Sequence, residues 1–449
     1  MLETDPRFKV FRGAFIQSIS DQRAEFIPDG LVLVASAGED CGRIVAMGET
    51  ARVAAAYGLE LKDESPGQGT HVAGDLWLPA FFDTHFHWVQ DAVREMAKYS
   101  LIEWLNNITF PEEAKFADAA FADRQAKQFW ESILSLGTVG GLCYSSIHEV
   151  ALDAAMQWAP ADFYIGNVLM TMECPDYLQQ SEADAIAIVQ SCARRYGRRY
   201  IASPRFAPTT APAVMRAAAE AAQANAAFQQ THLGETLAEI DWVLDIYRKL
   251  PGFEDVGSYT EIYQRVGMLG EQSVFGHCIH LTADEWRLLA ESGSRIASCP
   301  TSNAPVENMG LGSGLFDYPT AEAYGVPWSL ASDIGGGPYL SMFDVMHSFV
   351  WQNRAIGRAD ATYTKALHRA TSQGAKLMDL PDRGVLREGA FFDAIRLRMP
   401  QGQFTAGDAE PILAAFFEQI PDRKSTETLV QETFVKGESR FKRGASTCD

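Results

Sequence analysis

The chain has 449 residues, a length that allows roughly three domains, or one large barrel domain with a smaller companion. Hydrophobic residues make up 47% of the chain and charged residues 21%, and these ordinary globular values exclude a disordered chain, a collagen-like repeat and a coiled coil. The net charge is −20 at pH 7. So acidic a surface repels phosphate backbones, which argues against a nucleic-acid polymer as a partner.

The cysteine pattern indicates a reducing compartment. The seven cysteines show no C-x-x-C spacing, and their odd number argues against a complete disulfide framework. Residues 1–13 mix acidic and basic side chains and lack the apolar core of a signal peptide. No stretch is both long and apolar enough to span a bilayer. We therefore expect a soluble cytoplasmic protein with no membrane partner.

Short strands and turns are predicted for the N-terminal part of the chain. Residues 8–15 alternate roughly between apolar and polar, and residues 31–34 form an apolar run rich in β-branched side chains. A further apolar run, residues 75–83, is bounded by turn formers and suits a buried strand.

The middle of the chain alternates between Ala-rich helical segments and short apolar runs. Helices are predicted at residues 117–136 and 212–225. The apolar runs that read as strands are residues 139–144, 164–170, 227–232, 273–277, 295–299 and 328–333. Repeated alternation of this kind predicts a parallel α/β fold, and the number of runs is compatible with an eight-fold barrel.

After about residue 377 the pattern returns to turns and strands, and residues 384–397 look like a hairpin. We therefore predict an α/β fold: a distorted (β/α)8 TIM barrel with a small β-sandwich domain formed by both ends of the chain. The predicted boundaries are residues 1–75 and 379–449 for the sandwich and residues 76–378 for the barrel.

Two histidines close the apolar run that begins near residue 76. Alternate residues of a strand point to the same side, so His85 and His87 project together. At the C-terminal end of a barrel strand, side chains that point inward face the active site. An H-x-H pair alone is a weak signal, because two ordinary core or surface histidines would give the same pattern.

Three more candidate ligands stand at the ends of later apolar runs: His232, His277 and Asp333. Catalytic residues drawn from the ends of several strands are typical of barrel enzymes. Imidazole and carboxylate ligands suit zinc, with iron as a competitor. The competing interpretation is that each is a polar residue at a strand end, satisfied by local hydrogen bonds.

Residues 78–87 (LPAFFDTHFH) resemble the strand-one signature of the amidohydrolase superfamily, and the three later candidates match its other ligand positions. Members that bridge two metals use a lysine before the third histidine, and this chain has no lysine between Lys127 and Lys249. The resemblance therefore implies one metal ion, zinc or iron, held by His85, His87, His232, His277 and Asp333.

Within the superfamily the chain resembles the guanine deaminases. The separated motifs that carry this resemblance are Gln90 after the H-x-H, residues 101–105 (LIEWL), residues 109–116 (TFPEEAKF), residues 203–206 (SPRF), the pair His232 and Glu235, and residues 298–303 (SCPTSN). The chain departs from the pattern at Trp88-Val89, where small residues or proline are common, and at residues 276–280. The resemblance also implies a homodimer.

The resemblance implies hydrolytic deamination of guanine, a small purine base, to xanthine and ammonia. Asp333 would accept a proton from water and Glu235 would protonate the ring nitrogen beside C2. Three side chains would bind the base: Gln90 by hydrogen bonds to its edge, Arg205 as a donor and Phe206 by stacking. Trp88 is placed beside them, where its bulk would alter the heterocycle accepted.

Each of these binding residues also has a structural interpretation. Gln90 also fits an ordinary polar residue at the surface, Phe206 a residue of the core, and Arg205 the partner of a local carboxylate. The rival functions are hydrolysis of another aromatic heterocycle, such as 8-oxoguanine, a pterin or a triazine, and a barrel that has lost its chemistry. The second rival predicts missing ligands, whereas every ligand and Glu235 are present.

Overall fold

The computed structural model describes residues 6–59 and 74–444. The chain forms two compact units, each built from separate stretches of sequence. One contains Met1–Phe82, Glu131–Val139 and Ser341–Asp449, and the other contains Asp83–Trp130 and Gly140–Leu340. The boundaries predicted at residues 75 and 378 stay predictions.

Strands and helices alternate through most of the described residues. The strands in chain order are β1 Phe8–Ser20, β2 Arg23–Ala35, β3 Ile44–Glu49, β4 Asp75–Pro79, β5 Phe81–His87, β6 Thr138–Ser145, β7 Phe163–Leu169, β8 Ser203–Pro204, β9 Gln229–Leu233, β10 Ser273–His277, β11 Arg295–Ser298, β12 Trp328–Leu330, β13 Ala394–Arg398, β14 Gly407–Asp408, β15 Glu432–Val435 and β16 Glu438–Lys442. The α-helices are α1 Thr50–Tyr57, α2 Leu101–Trp104, α3 Phe110–Ala114, α4 Ala119–Ser135, α5 Glu149–Trp158, α6 Glu182–Tyr196, α7 Pro212–Ala224, α8 Leu237–Tyr247, α9 Tyr259–Arg265, α10 Ala283–Ser292, α11 Tyr318–Tyr324, α12 Met342–Ala355, α13 Tyr363–Ala370, α14 Ser372–Leu377 and α15 Glu410–Glu418.

The strands β5 to β12 form two four-stranded sheets, each in sequence order. Neighbours from β6 to β8 and from β9 to β12 are parallel, and a parallel bridge between Ala202 and Gln229 joins the two sheets. At the outer edges, Thr84 Oγ1 lies 2.7 Å from Ser329 Oγ. The set of parallel strands is therefore curled, and the predicted α/β class is confirmed. Parallel strands of this kind bring their carboxyl ends, and the loops after them, to one side.

Strands from both ends of the chain pair in one eight-stranded sheet, in the order β14-β2-β1-β4-β13-β15-β16 with β3 beside β2. The antiparallel pairing of β4 with β13 joins the two ends. The rings of Phe11 in β1 and Phe434 in β15 are 5.2 Å apart between centroids, although two strands lie between β1 and β15. The layers predicted as a sandwich are thus parts of one continuous sheet that folds around a shared apolar core.

The hairpin predicted at residues 384–397 is wrong in its first half. Only β13 is a strand, and the preceding residues form turns and irregular segments. Gly384 and Gly389 adopt φ values of +62° and +83°, a left-handed conformation that interrupts extended backbone. A buried ion pair between Arg383 and Asp393 then holds this segment in place of strand pairing.

None of the described helices is long and apolar enough to cross a bilayer. Six of the seven cysteines are described, and all six are free thiols. Cys448 lies outside the described residues.

Candidate active site

Four of the predicted ligands come together where the parallel strands end. His85 and His87 are the fifth and seventh residues of β5, His232 lies in β9, and Asp333 follows β12 by three residues. One ligand atom from each of these four residues lies within 4.8 Å of the others. The period-two geometry of β5 is what aims both of its histidines at one point.

Hydrogen bonds fix the orientation of this cluster. His232 Nδ1 lies 2.6 Å from the carbonyl oxygen of Arg205, which can only accept, so Nδ1 carries the proton and Nε2 is left with a lone pair. That Nε2 lies 3.1 Å from His87 Nε2. Asp333 Oδ1 is 3.5 Å from the same His87 nitrogen and 3.3 Å from His85 Nε2. Several lone pairs therefore face one another at short range.

The chemistry of the donors fits a bound divalent cation. His85 Nε2 is buried and finds no hydrogen-bond partner among the described residues. Burial lowers the pKa of His85, His87 and His232 well below the usual value for histidine, which leaves neutral imidazoles, the form that binds metals. Burial also raises the pKa of Asp333, because the charged carboxylate is disfavoured away from water.

His277 stands beside this group at the end of β10. Its Nε2 is buried without a hydrogen-bond partner among the described residues, and it lies 3.9 Å from Asp333 Oδ2 and 3.5 Å from Glu235 Oε2. The φ angles of His277 and Asp333 are +70° and +47°, a conformation that costs roughly 1–3 kcal/mol for a residue with a side chain. Strained residues of this kind cluster at functional sites. Metal ligation by His277 stays a prediction.

Glu235 is buried next to the cluster. Its Oε1 accepts hydrogen bonds from Ser313 Oγ at 2.8 Å and from Asn303 Nδ2 at 3.2 Å. Burial, with the neighbouring Asp333 carboxylate, raises the pKa of Glu235 to about 8. A carboxyl group with that pKa holds a proton at neutral pH and can donate it, which is the property a general acid needs.

A cavity opens onto these groups. It brings the three predicted base-binding residues, Gln90, Arg205 and Phe206, to the same space as Glu235. The full lining is His87, Gln90, Leu101, Trp104, Leu105, Arg205, Phe206, His232, Glu235, Glu239, His277, Leu311, Asp333 and Gly336. Apolar walls with a few convergent polar groups are typical of small-molecule sites.

The structure does not place Trp88 with these residues. Its indole Nε1 donates to Ser145 Oγ at 3.0 Å, and its ring packs edge-on against Phe116 at 4.9 Å between centroids. Trp88 is not part of the cavity lining. A substrate contact by Trp88 stays a prediction.

Two buried carboxylates near the site, Asp83 and Glu113, lie in the sequence motifs but were given no individual role. Asp83 accepts hydrogen bonds from the backbone nitrogens of His85 and Ser332, and burial raises its pKa to about 7. Its position two residues before His85, on the same face of β5, is the sequence signal that would have identified Asp83. The other is Glu113, which lies between Gln90 and Arg205, and no periodicity in the sequence connects these three residues.

Comparisons with known proteins identify the family of this chain. Residues 76–439 match the model of the amidohydrolase family. The guanine deaminase of Escherichia coli (strain K12) is 32% identical over 317 residues, which cover 69% of this chain and 70% of that protein. A solved structure of E. coli guanine deaminase superposes with a TM-score of 0.83 and 27% identity, covering 97% of this chain and 100% of that one. A guanine deaminase from C. acetobutylicum, solved with guanine in its active site, has the same fold, with a TM-score of 0.79 and 23% identity over 97% of this chain and 100% of that one.

Proposed function

Because this chain belongs to the amidohydrolase family, we propose that it hydrolyses guanine to xanthine and ammonia. The observation that carries the proposal is that Glu235 lines one cavity with His87, His232 and Asp333, three of the four grouped candidate ligands. The likeness to guanine deaminases in sequence and in fold supports the choice of guanine.

The proposal includes one zinc ion, with iron as the alternative, held by His85, His87, His232, His277 and Asp333. Imidazole and carboxylate donors suit both metals. Such an ion would lower the pKa of water toward about 7 and so favour hydroxide at neutral pH. The unpartnered Nε2 atoms of His85 and His277 are the buried groups that a cation would satisfy.

Asp333 and Glu235 divide the proton transfers between them. The Asp333 carboxylate accepts the proton that water loses as its oxygen attacks C2 of guanine. Glu235, whose pKa is about 8, delivers its proton to the ring nitrogen beside C2. Asp333 then passes the proton that it took from water to the amine on C2, and the C–N bond breaks to release ammonia. The hydroxyl on C2 gives its proton to the Glu235 carboxylate as the carbonyl of xanthine forms. The raised pKa of Glu235 is what keeps this acid loaded at neutral pH.

Three side chains bind the base in this proposal. Arg205 carries only donors and is suited to the exocyclic oxygen of guanine, whereas the amide of Gln90 offers a group for the neighbouring ring N–H. Phe206 is buried at the cavity wall, and its ring lies 6.4 Å from the His232 imidazole between centroids. That position lets it pack against the purine.

We further propose a homodimer in the cytoplasm; the cytoplasmic location rests on the cysteine pattern of the sequence.

The test is ammonia release from guanine by the metal-loaded protein, with 8-oxoguanine and a pterin as competing substrates. We expect guanine to be preferred, with kcat/KM of about 10⁴ M⁻¹s⁻¹ or more. The matched control is the Glu235→Gln variant, which keeps the shape of the site and removes the acid. A metal-loaded protein that leaves guanine intact and turns over one of the competitors would overturn the choice of substrate.

A further inference from the structure

Glu113 is a buried carboxylate that touches both polar side chains proposed to read the base. It lies in the short helix α3 and has no exposed surface. Gln90 Nε2 donates to its Oε1 at 2.7 Å, and Arg205 Nη1 lies 2.9 Å from Oε1 and 2.8 Å from Oε2. One carboxylate therefore holds both residues, although Gln90 is 23 positions and Arg205 is 92 positions away along the chain.

The hydrogen bond with Glu113 determines the orientation of the Gln90 side-chain amide. A carboxylate only accepts hydrogen bonds, so the amide atom facing Glu113 must be the nitrogen. The carbonyl Oε1 of Gln90 is left on the other side, against Gly335, where a Cβ atom would lie 1.9 Å from it. No hydrogen bond from the described residues ends on this oxygen. Gln90 thus offers an acceptor to the cavity, while Arg205 keeps its remaining N–H groups as donors.

We infer that Glu113 is a positioning residue that sets substrate specificity, by fixing an acceptor on Gln90 beside the donors of Arg205. This pattern matches the edge of a 6-oxopurine, in which the ring N1–H donates and the exocyclic oxygen accepts. A 6-aminopurine presents the reverse, because its N1 accepts and its amine donates. The inference rests on the proposed function for its substrate class and adds the residue that distinguishes 6-oxopurines from 6-aminopurines.

The turnover experiment compares guanine with 2,6-diaminopurine, which carries the same leaving amine on C2 and the reversed edge. The wild-type enzyme should prefer guanine strongly, since a site built to hydrogen-bond one pattern leaves buried polar groups unpaired with the other. In Glu113→Gln the new amide can donate to Gln90 Oε1, so Gln90 is free to turn and offer its nitrogen. We expect the ratio of kcat/KM for the two purines to fall at least tenfold.

The matched control is Glu112→Gln. Glu112 is the adjacent buried glutamate of α3 and is paired with Lys115 at 2.6 Å, away from Gln90 and Arg205. A general loss of folding or metal lowers both substrates together and leaves the ratio unchanged, so the ratio reports positioning. If Glu113→Gln does not fold, Glu113→Asp keeps the charge with a shorter reach and should lower the ratio by a smaller factor. A ratio in a folded Glu113 variant equal to that of the wild type and Glu112→Gln would overturn the inference.

A binding measurement separates this inference from the proposed function. Hypoxanthine and adenine carry the two opposite edges and have no amine on C2, so neither can be deaminated there. Calorimetry should show that the wild-type protein binds hypoxanthine more tightly than adenine and that Glu113→Gln loses this preference. If the protein binds hypoxanthine more tightly than adenine but does not turn over guanine, the proposed reaction is refuted and the role of Glu113 is not. Guanine turnover with equal affinity for hypoxanthine and adenine refutes the role of Glu113 alone.

Discussion

His232 donates through Nδ1 to the backbone carbonyl of Arg205 over 2.6 Å. One residue belongs to the proposed metal group and the other to the proposed base-binding group. Because Nδ1 of His232 is the donor, the lone pair of its Nε2 points toward His87. The same bond connects the backbone at Arg205 to β9. The backbone at Arg205 thus orients the imidazole of His232, and this bond links the two proposed groups.

Removal of the metal should abolish activity and lower thermal stability. Buried imidazoles that face one another are stabilised by a cation that binds only the folded chain, and a ligand at about 100 times its Kd adds ~2.7 kcal/mol to the free energy of unfolding. Dialysis against a chelator, followed by calorimetry and by readdition of zinc or iron, measures both effects. His85→Ala should lose the metal. His148→Ala, whose imidazole bonds to Ser146 outside the group, should keep it.

Glu235→Gln should retain the metal and lose turnover. Loss of a positioned general acid costs about 10²–10⁴-fold in rate, and the amide preserves the shape that Ser313 and Asn303 recognise. Steady-state kinetics with metal analysis of the same sample make the comparison. A variant with wild-type kcat would show that the proton reaches the ring from another group.

Arg205→Ala should lower kcat/KM for guanine at least about tenfold and should also destabilise the fold. The substitution leaves Glu113 as a buried carboxylate without its cation, a change that costs roughly 3–5 kcal/mol. Denaturant unfolding of the metal-loaded protein measures this loss. The double variant Arg205→Ala/Glu113→Gln removes the stranded charge and should recover part of the stability. Equal stability of the single and double variants would show that the unpaired Glu113 carboxylate does not destabilise the fold.

Gly335→Ala should raise KM for guanine. A methyl group there would meet Gln90 Oε1 at 1.9 Å, in a backbone with φ of +113°, so Gln90 must leave its place. Gly325→Ala is the matched control, because its φ is +72° and no atom lies within 4 Å of the added methyl. It carries backbone strain without the collision, and its KM should equal that of the wild type.

His368 should make the fold sensitive to mild acid, independently of the metal. The imidazole is buried and bonds to Ser18 and Ser372, and burial lowers its pKa from 6.5 to about 4. Below pH 6.5 His368 binds a proton in the unfolded chain but not in the folded chain. The free energy of unfolding therefore falls as the pH drops from about 6.5 to about 4. Each pH unit within this range costs up to ~1.4 kcal/mol. Chemical unfolding across this range should show a shallower loss in His368→Asn.

The sequence predicts the parts of the site that follow from strand periodicity. His85 and His87 share a face because side chains alternate along β5, and the ends of parallel strands meet, which brings His232 and Asp333 to them. Glu113 could not be predicted in this way. Its partners lie far away in sequence, and α3 has only five residues, too few for a pattern to show which side chain turns inward. The single eight-stranded sheet formed by both chain ends could not be predicted either, because apolar alternation reveals which face of a strand is buried and not which strands lie beside or opposite it.

The link between the two ends of the parallel strand set has a consequence for synthesis of the chain. Ser332 binds Asp83 across 249 residues of sequence, and Asp333 N donates to the carbonyl of His85 at 2.8 Å. Contacts so distant in sequence form late and slowly. When His85, His87 and His232 have emerged from the ribosome, Asp333 has not yet been synthesised. The nascent chain then carries three imidazoles without the carboxylate that faces them in the folded protein. The proposed metal site is therefore complete only after the last parallel strand has docked.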